Sequence, residues 1–204
     1  MKYMNLCNGL VLFLSITAAV YAEKKSEPFR PAPIETYATK QTNQGLTIAA
    51  VPFEDEEEAK PAFGKLNPYK HGVLPVLLIL KNEGTKTLNL EGARIQYQAT
   101  ANRKVDETPA EDIARIKGPS RPRLNPTPIP SGVPGLRKNK NPLNNAVIVE
   151  RALAARMLPP GESAHGFAYF QTGHTRGSKL YITGITEADS GKELFYFEVP
   201  LEMN

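Results

Sequence analysis

Short hydrophobic segments, most of them alternating with polar residues, recur seven times along the chain, with turn-forming residues between them. Alternation with a period of two is typical of a β-strand that has one face against a core. The segments are 34–41, 46–53, 73–81, 87–98, 163–171, 179–186 and 193–201. This number of short strands predicts a mainly β protein built as a sandwich of about seven strands.

Segment 73–81 differs from the others because it is hydrophobic on both of its faces. A strand without a polar face must be covered on both sides. We therefore expect this strand to lie in the interior, between two layers.

Two other segments show details of register. In 87–98 the alternation shifts by one position at Gly92, which predicts a β-bulge. In 193–201, the alternation places Phe195 and Phe197 on the same face of the predicted strand. The turn that precedes this segment predicts a hairpin with 179–186.

Residues 99–162 interrupt the strand pattern as a helical, proline-rich insertion. A capping box that starts at Thr108 predicts a helix to about 117, and a second helix is predicted over 141–157. The hydrophobic stripe of the second helix should pack on segment 73–81; it contains Ala146, Val149, Leu153 and Met157. The β-branched run 147–149 leaves a strand as the alternative.

Residues 121–142 lie between the predicted helices and contain six prolines, five basic residues and no acid. We interpret this stretch as an exposed loop of the insertion, with a binding arm as the alternative. Prolines would stiffen the arm, and its charge would suit an envelope protein with an acidic face, an anionic envelope polymer or lipid head groups. The candidate binding residues are Arg121, Arg123, Arg137, Lys138 and Lys140.

The N-terminus has the features of an export signal. A short basic start, a hydrophobic stretch and small residues at the cleavage position predict a signal peptide over 1–22. We expect a disordered leader over 23–33 and a single domain over 34–204, located in the periplasm or outside the cell. No later segment is long and hydrophobic enough to span a membrane.

Composition restricts the possible chemistry. The only cysteine is Cys7, so the mature chain has no thiol for disulfides, catalysis or metal binding. A net charge of +4 with mixed signs does not indicate a nucleic-acid binder. The acidic run 54–58 is interpreted as a solvated loop rather than a calcium site. The aromatic residues of the strands are interpreted as part of the core rather than as a sugar-binding platform.

No motif predicts a catalytic site. Ser163 and His165 resemble a nucleophile elbow only in part, because helix, prolines and strand follow in the wrong order. His71, His165 and His174 have no close ligand spacing. We expect a protein that is not an enzyme and has no cofactor; an exported hydrolase that uses Ser163 and His165, or a metal on the histidines, is the alternative.

Two stretches, 77–84 and 158–170, give the chain a family resemblance. The first is a hydrophobic strand that ends at an Asn-containing turn, and the second is a Pro-Gly-Glu-Ser turn followed by an aromatic-rich strand. In these features the chain resembles small exported bacterial immunoglobulin-like domains, over about 46–98 and 158–201. The resemblance implies an immunoglobulin-like sandwich with an interaction or scaffold role. A separate, purely structural alternative is a subunit of a larger envelope assembly, whose exposed sheet edge is completed by a partner strand.

Overall fold

The computed structural model describes residues 28–99, 103–116 and 141–201, which form a mainly β structure with three antiparallel sheets and a few short helices. The strands are β1 (Lys40–Asn43), β2 (Leu46–Pro52), β3 (Leu74–Asn82), β4 (Leu88–Asn89), β5 (Arg94–Gln98), β6 (Lys104–Asp106), β7 (Met157–Leu158), β8 (Ser163–Phe170), β9 (Lys179–Thr183), β10 (Thr186–Glu187) and β11 (Phe197–Pro200). The helices are α1 (Glu56–Phe63), α2 (Ala110–Ile113) and α3 (Ala146–Arg151), with 3-10 turns at Ile34–Thr36 and Tyr69–His71.

The strands are arranged in two larger sheets and one small one. Sheet 1 has the order β1-β2-β3-β8, sheet 2 the order β11-β9-β5-β6, and sheet 3 the order β10-β4-β7. Every neighbouring pair is antiparallel. Sheets 1 and 2 share a hydrophobic core, which we call the inner core, and sheet 3 adds Leu88 and Leu158 to it.

Alternate residues of β3 face opposite sides of sheet 1. Leu78 and its even-numbered neighbours enter the inner core, whereas Leu77 and Ile79 face a second, outer core. The outer core is covered by α1, α2 and α3. The prediction that this strand is covered on both sides is therefore confirmed.

The N-terminal part of the domain departs from the predicted strand 34–41. Ile34 is buried in the outer core within a 3-10 turn, and pairing begins only at Lys40. The ring of Phe29 packs against Phe53 and Phe167, with centroids 6.2 and 5.6 Å apart. Phe29, in the predicted disordered leader, thus lies against the outer core. Residues 1–27, with the predicted signal peptide, are outside the described residues.

The acidic run 54–58 is not a loop, because its larger part forms the first turn of α1. Carboxylates at this position interact favourably with the unpaired N–H groups of a helix start. Ala59, Ala62 and Phe63 are buried against the outer core and explain why the segment becomes helical.

Segment 87–98 changes sheets at the position where a β-bulge was predicted. β4 pairs within sheet 3 and β5 within sheet 2. Gly92 lies at the crossing with Gly184, where a Cβ on Gly184 would stand 2.2 Å from the Gly92 carbonyl oxygen. Two backbones can cross this closely only without a side chain at this position.

The predicted final hairpin forms, with Thr186 bridging to Glu193 and the Glu187 N–H donating to the Lys192 oxygen at 2.8 Å. The predicted face of this strand is wrong at one residue. Phe197 is buried, but Phe195 is 69% exposed. The alternation of buried and exposed residues is interrupted between these two positions, because regular pairing with β9 begins only at Phe197.

The insertion contains more strand and less helix than predicted, since β6 and β7 belong to it. The predicted capping box does not form, and the Thr108 N–H donates to Tyr169 on β8 instead. The second helix ends at Arg151, where an isolated bridge to Phe167 begins. Pairing with the β8 edge has replaced the last helical turns.

The predicted stripe of the second helix is also wrong. Val149 and Met157 are each 47% exposed, whereas Val147 and Ile148 are buried in the outer core with Leu77. The helix therefore covers β3, as predicted, but uses a different face.

Candidate functional site

A cleft of about 620 Å³ opens between the two larger sheets. Its floor consists of side chains that also form the inner core: Ile48, Leu78 and Leu80 from sheet 1, and Ile95 and Ile182 from sheet 2. A cleft of this size with an apolar floor is typical of ligand sites in proteins.

One wall of the cleft is the extended segment 152–156, which lies beside the edge of β8. The Leu153 N–H donates to the Phe167 oxygen at 3.1 Å. Gly166 makes this approach possible, because a Cβ there would stand 2.3 Å from the Leu153 Cα. The glycine thus determines where this wall lies.

A second wall is the chain that passes from β6 to α2. The Glu107 N–H donates to the Ile95 oxygen at 3.1 Å, and the Thr108 N–H donates to the Tyr169 oxygen at 2.7 Å. This short stretch is therefore bonded to both larger sheets, which holds Glu107 at the cleft.

Glu107 is the half-buried carboxyl group of the site. Loss of water around the ionised form raises its pKa to about 7. Among the described residues, no hydrogen bond or ion pair to this carboxyl group is found. A titratable group of this kind beside an apolar cleft is a common mark of a binding or catalytic site.

None of these cleft residues was predicted from the sequence to belong to a functional site. Its apolar residues have the ordinary alternation of core strands, and Glu107 stands in a short polar stretch without a motif. The site depends on segments that are distant in sequence, so its only local sign is the glycine at position 166, inside a strand.

The five candidate residues of the basic loop, Arg121, Arg123, Arg137, Lys138 and Lys140, lie outside the described residues. The structure does describe the two ends of this loop. The Asn141 side chain donates to the carbonyl oxygens of Ala114 and Ile116 at 2.9 and 3.0 Å. The chain therefore leaves and returns at the same place.

The residues of the hydrolase alternative are not brought together as a catalytic site. His165 is exposed on β8, and its Nε2 lies 3.3 Å from the Phe29 oxygen. Within the described residues, Ser163 has no hydrogen bond to a histidine. In 28–99, 103–116 and 141–201, no three His, Cys, Asp or Glu side chains gather closely enough to hold a metal ion.

His174 takes part in a polar cluster that the sequence did not suggest. Its Nδ1 lies 3.2 Å from Ser178 Oγ, and its Nε2 lies 3.6 Å from Glu54 Oε1. Burial lowers the pKa of His174 and favours the neutral ring. Ser178 is only 1% exposed, so its hydroxyl has no access to a substrate.

The same cluster fixes the loop that follows β8. The Tyr69 hydroxyl accepts the His174 N–H at 3.1 Å, and the Tyr97 hydroxyl accepts the Thr175 N–H at 2.8 Å. We interpret the cluster as structural, because its two tyrosine hydroxyls hold this loop. Among the described residues, the buried Glu54 Oε1 accepts no hydrogen bond.

The aromatic residues divide between core and surface. Most of those in strands are buried, as expected: Tyr97, Phe167, Tyr169, Phe170 and Phe197. Phe195 and Tyr196, just before β11, are exposed, and the ring of Tyr196 lies 5.3 Å from that of Tyr181 on β9. The prediction that strand aromatics form the core is thus wrong for Phe195 and Tyr196.

No protein-family model matches the sequence, and no curated protein matches it. Three solved structures are similar in part: a presumed lipoprotein of Bacillus subtilis, a presumed ApaA protein of Bordetella pertussis and a protein of unknown function from Listeria monocytogenes. Their identities are 12, 14 and 13%, with TM-scores of 0.37, 0.33 and 0.37.

The matches cover 79, 77 and 81% of this chain, and 38, 88 and 82% of the three neighbours. The chain therefore spans well under half of the Bacillus protein. At such low TM-scores, none of these likenesses identifies a fold or a function. None of the described helices is long and apolar enough to cross a membrane.

Proposed function

We propose that this chain is an exported, non-enzymatic binding protein of the bacterial envelope, with an immunoglobulin-like sandwich as its framework. The observation that carries the binding role is the cleft of about 620 Å³, which has an apolar floor and Glu107 in one wall. An open apolar surface in contact with water favours a ligand that covers it.

The order of the strands supports the immunoglobulin-like framework. In the lettering of that fold, β2, β3 and β8 take the places of strands A, B and E, and β11, β9, β5 and β6 those of G, F, C and C′. The short helices α2 and α3 lie between β6 and β8, where that fold has strand D.

Export rests on the sequence of residues 1–22, which has the basic start, hydrophobic stretch and small residues of a signal peptide. A chain without cysteine after this segment is compatible with an oxidising compartment, because it has no thiol to oxidise. We propose the periplasm or the exterior of a bacterial cell as its location.

The binding role is tested with a neutral apolar fluorescent probe. We expect the wild-type protein to bind the probe, and the substitution Ala155→Phe to weaken this binding at least about tenfold because the new ring fills the cleft. The control Ala188→Phe places the same ring on an exposed turn outside the cleft. Equal binding by both variants, or none by the wild-type protein, would contradict a role for the cleft.

The basic loop is a separate proposal, in which Arg121, Arg123, Arg137, Lys138 and Lys140 bind an anionic envelope polymer or an acidic face of another protein. Replacement of all five by alanine should reduce capture from envelope extract. The control replaces two exposed lysines elsewhere, Lys65 and Lys192. Unchanged capture by the five-residue variant would remove the loop from the proposal.

A further inference from the structure

The lining of the cleft contains more acidic than basic side chains, in addition to its apolar floor. Its charged lining residues are Glu91, Glu107, Glu111 and Arg156. Arg156 is engaged by Glu91, with 3.2 Å between Nη1 and Oε1. Glu107 and Glu111 remain, so the site is locally acidic although the whole chain has a charge of +4.

Glu107 is the acid that is best placed to interact with a ligand. It is half-buried, and the hydrogen bond from its N–H to the Ile95 oxygen fixes its backbone. Glu107 also lines a neighbouring pocket, together with Arg94 and Asp106, whose charges are opposite in sign. The nearby Tyr169 hydroxyl is already used, because it donates to the Ile148 oxygen at 2.7 Å.

Three backbone N–H groups of the walls are unavailable to an added peptide strand. Leu153, Glu107 and Thr108 use their N–H groups within the protein, and their acceptors belong to the edge of β8 and to β5. A peptide that binds by strand addition needs free N–H and C=O groups on a sheet edge. The cleft therefore favours a small molecule over an extended peptide.

We propose that the cleft binds a cationic amphiphile, with a hydrocarbon group on the apolar floor and an ammonium or guanidinium group beside Glu107. This inference rests on the proposed binding function and specifies its ligand. A cation near a half-buried carboxylate interacts more strongly than it would in bulk water, and it stabilises the ionised form that burial disfavours.

Three probes with the same hydrocarbon chain test the inference: decylammonium, decanol and decanoate, titrated below their micellar concentrations by calorimetry at pH 7. We expect decylammonium to bind about tenfold more tightly than decanol, and decanoate to bind most weakly. The variant Glu107→Gln should remove most of the preference for the cation while leaving decanol binding unchanged.

The matched control is Glu57→Gln, which removes an exposed carboxylate on α1, outside the cleft. It should keep the full preference for decylammonium. If decanol binds but the cation is not preferred, or if Glu107→Gln keeps the preference, the charge inference is overturned and the proposed binding function stands. If none of the three probes binds, both are overturned.

Discussion

Asn82 joins the two sequence motifs that support the family resemblance. Its buried side chain donates to the oxygens of Lys86 and Leu158 at 2.7 and 2.9 Å and accepts the Gly84 N–H at 3.0 Å. Its backbone is bonded to Gly161 and Glu162 in the second motif. One asparagine thus holds the turn after β3 against the turn before β8.

Replacement of this side chain should be strongly destabilising. We expect Asn82→Ala to lower the free energy of unfolding by about 2–4 kcal/mol, because three hydrogen bonds are lost and their partners become unsatisfied. Chemical denaturation measures the change. The control Asn89→Ala removes one side-chain hydrogen bond, to the Glu91 N–H, at an exposed site and should cost less than about 1 kcal/mol. Equal losses for both would contradict the special role of Asn82.

Glu107 should make stability depend on pH in an unusual direction. Its pKa is raised from 4.5 to about 7 in the folded chain, so between these values the folded chain keeps a proton that the unfolded chain has released. Stability from this group is therefore complete below pH 4.5 and is lost as pH rises to about 7. The loss should be about 1–2 kcal/mol, reduced from the full linkage value because the carboxyl group is partly exposed to water.

The measurement compares wild-type protein with Glu107→Gln by denaturation across this pH range. The variant should lack the decline, whereas Glu111→Gln, on the same wall of the cleft, should keep it.

His174 acts in the opposite direction, since burial lowers its pKa and stability from the neutral ring is lost as pH falls below about 6.5. A decline that persists unchanged in Glu107→Gln would contradict the assignment.

The secondary structure could be predicted well where core residues repeat within one segment. β2, β3 and β8 have nearly the predicted bounds, because each is long and pairs over most of its length. The helices were predicted less well. α1 and the end of α3 depend on contacts with sheet 1, which a local pattern does not contain.

The contact between segment 152–156 and β8 provides a test of whether tertiary contacts determine the local structure here. Gly166→Ala should lower the free energy of unfolding by about 2–3 kcal/mol, because the new methyl group would collide with the backbone of Leu153. The same variant should weaken probe binding, since it displaces one wall of the cleft.

The matched control is Gly173→Ala, where a Cβ would meet only the Tyr69 hydroxyl oxygen at an ordinary 3.7 Å. We expect a change within about 0.5 kcal/mol for this variant. Thermal unfolding and probe titration measure both effects. If Gly166→Ala were as stable as the control, the close approach would not require glycine.

Two of the sheet edges are protected by side chains and loops of the chain itself. β11 is one edge of sheet 2 and contacts β1. Two N–H groups lie at this contact: the first is that of Phe195, two residues before β11, and the second is that of Glu198 within the strand. Gln44 accepts the first at 2.7 Å and Gln41 the second at 2.5 Å. At the other end of sheet 1, the edge of β8 is bonded to Leu153 and Thr108. Both arrangements leave fewer free groups for an added strand.

The two glutamines should therefore limit self-association. The double variant Gln41→Ala and Gln44→Ala frees two N–H groups on the edge of β11, and we expect its apparent mass to rise with concentration in light scattering. Its stability should fall by less than about 1 kcal/mol, because both sites are exposed. The double control Gln96→Ala and Gln98→Ala, on the outer face of sheet 2, should not change in mass. A monomeric Gln41/Gln44 variant would argue against this role.

The long strands β2, β3 and β8, the double covering of β3 and the final hairpin could be recognised from the sequence, because alternation and turn residues act over a few positions. The cleft, the role of Asn82 and the face of α3 used in the core were decided only when distant segments packed together. Gly166 shows the reason: a missing side chain in one strand becomes informative only when another backbone occupies the space that it leaves.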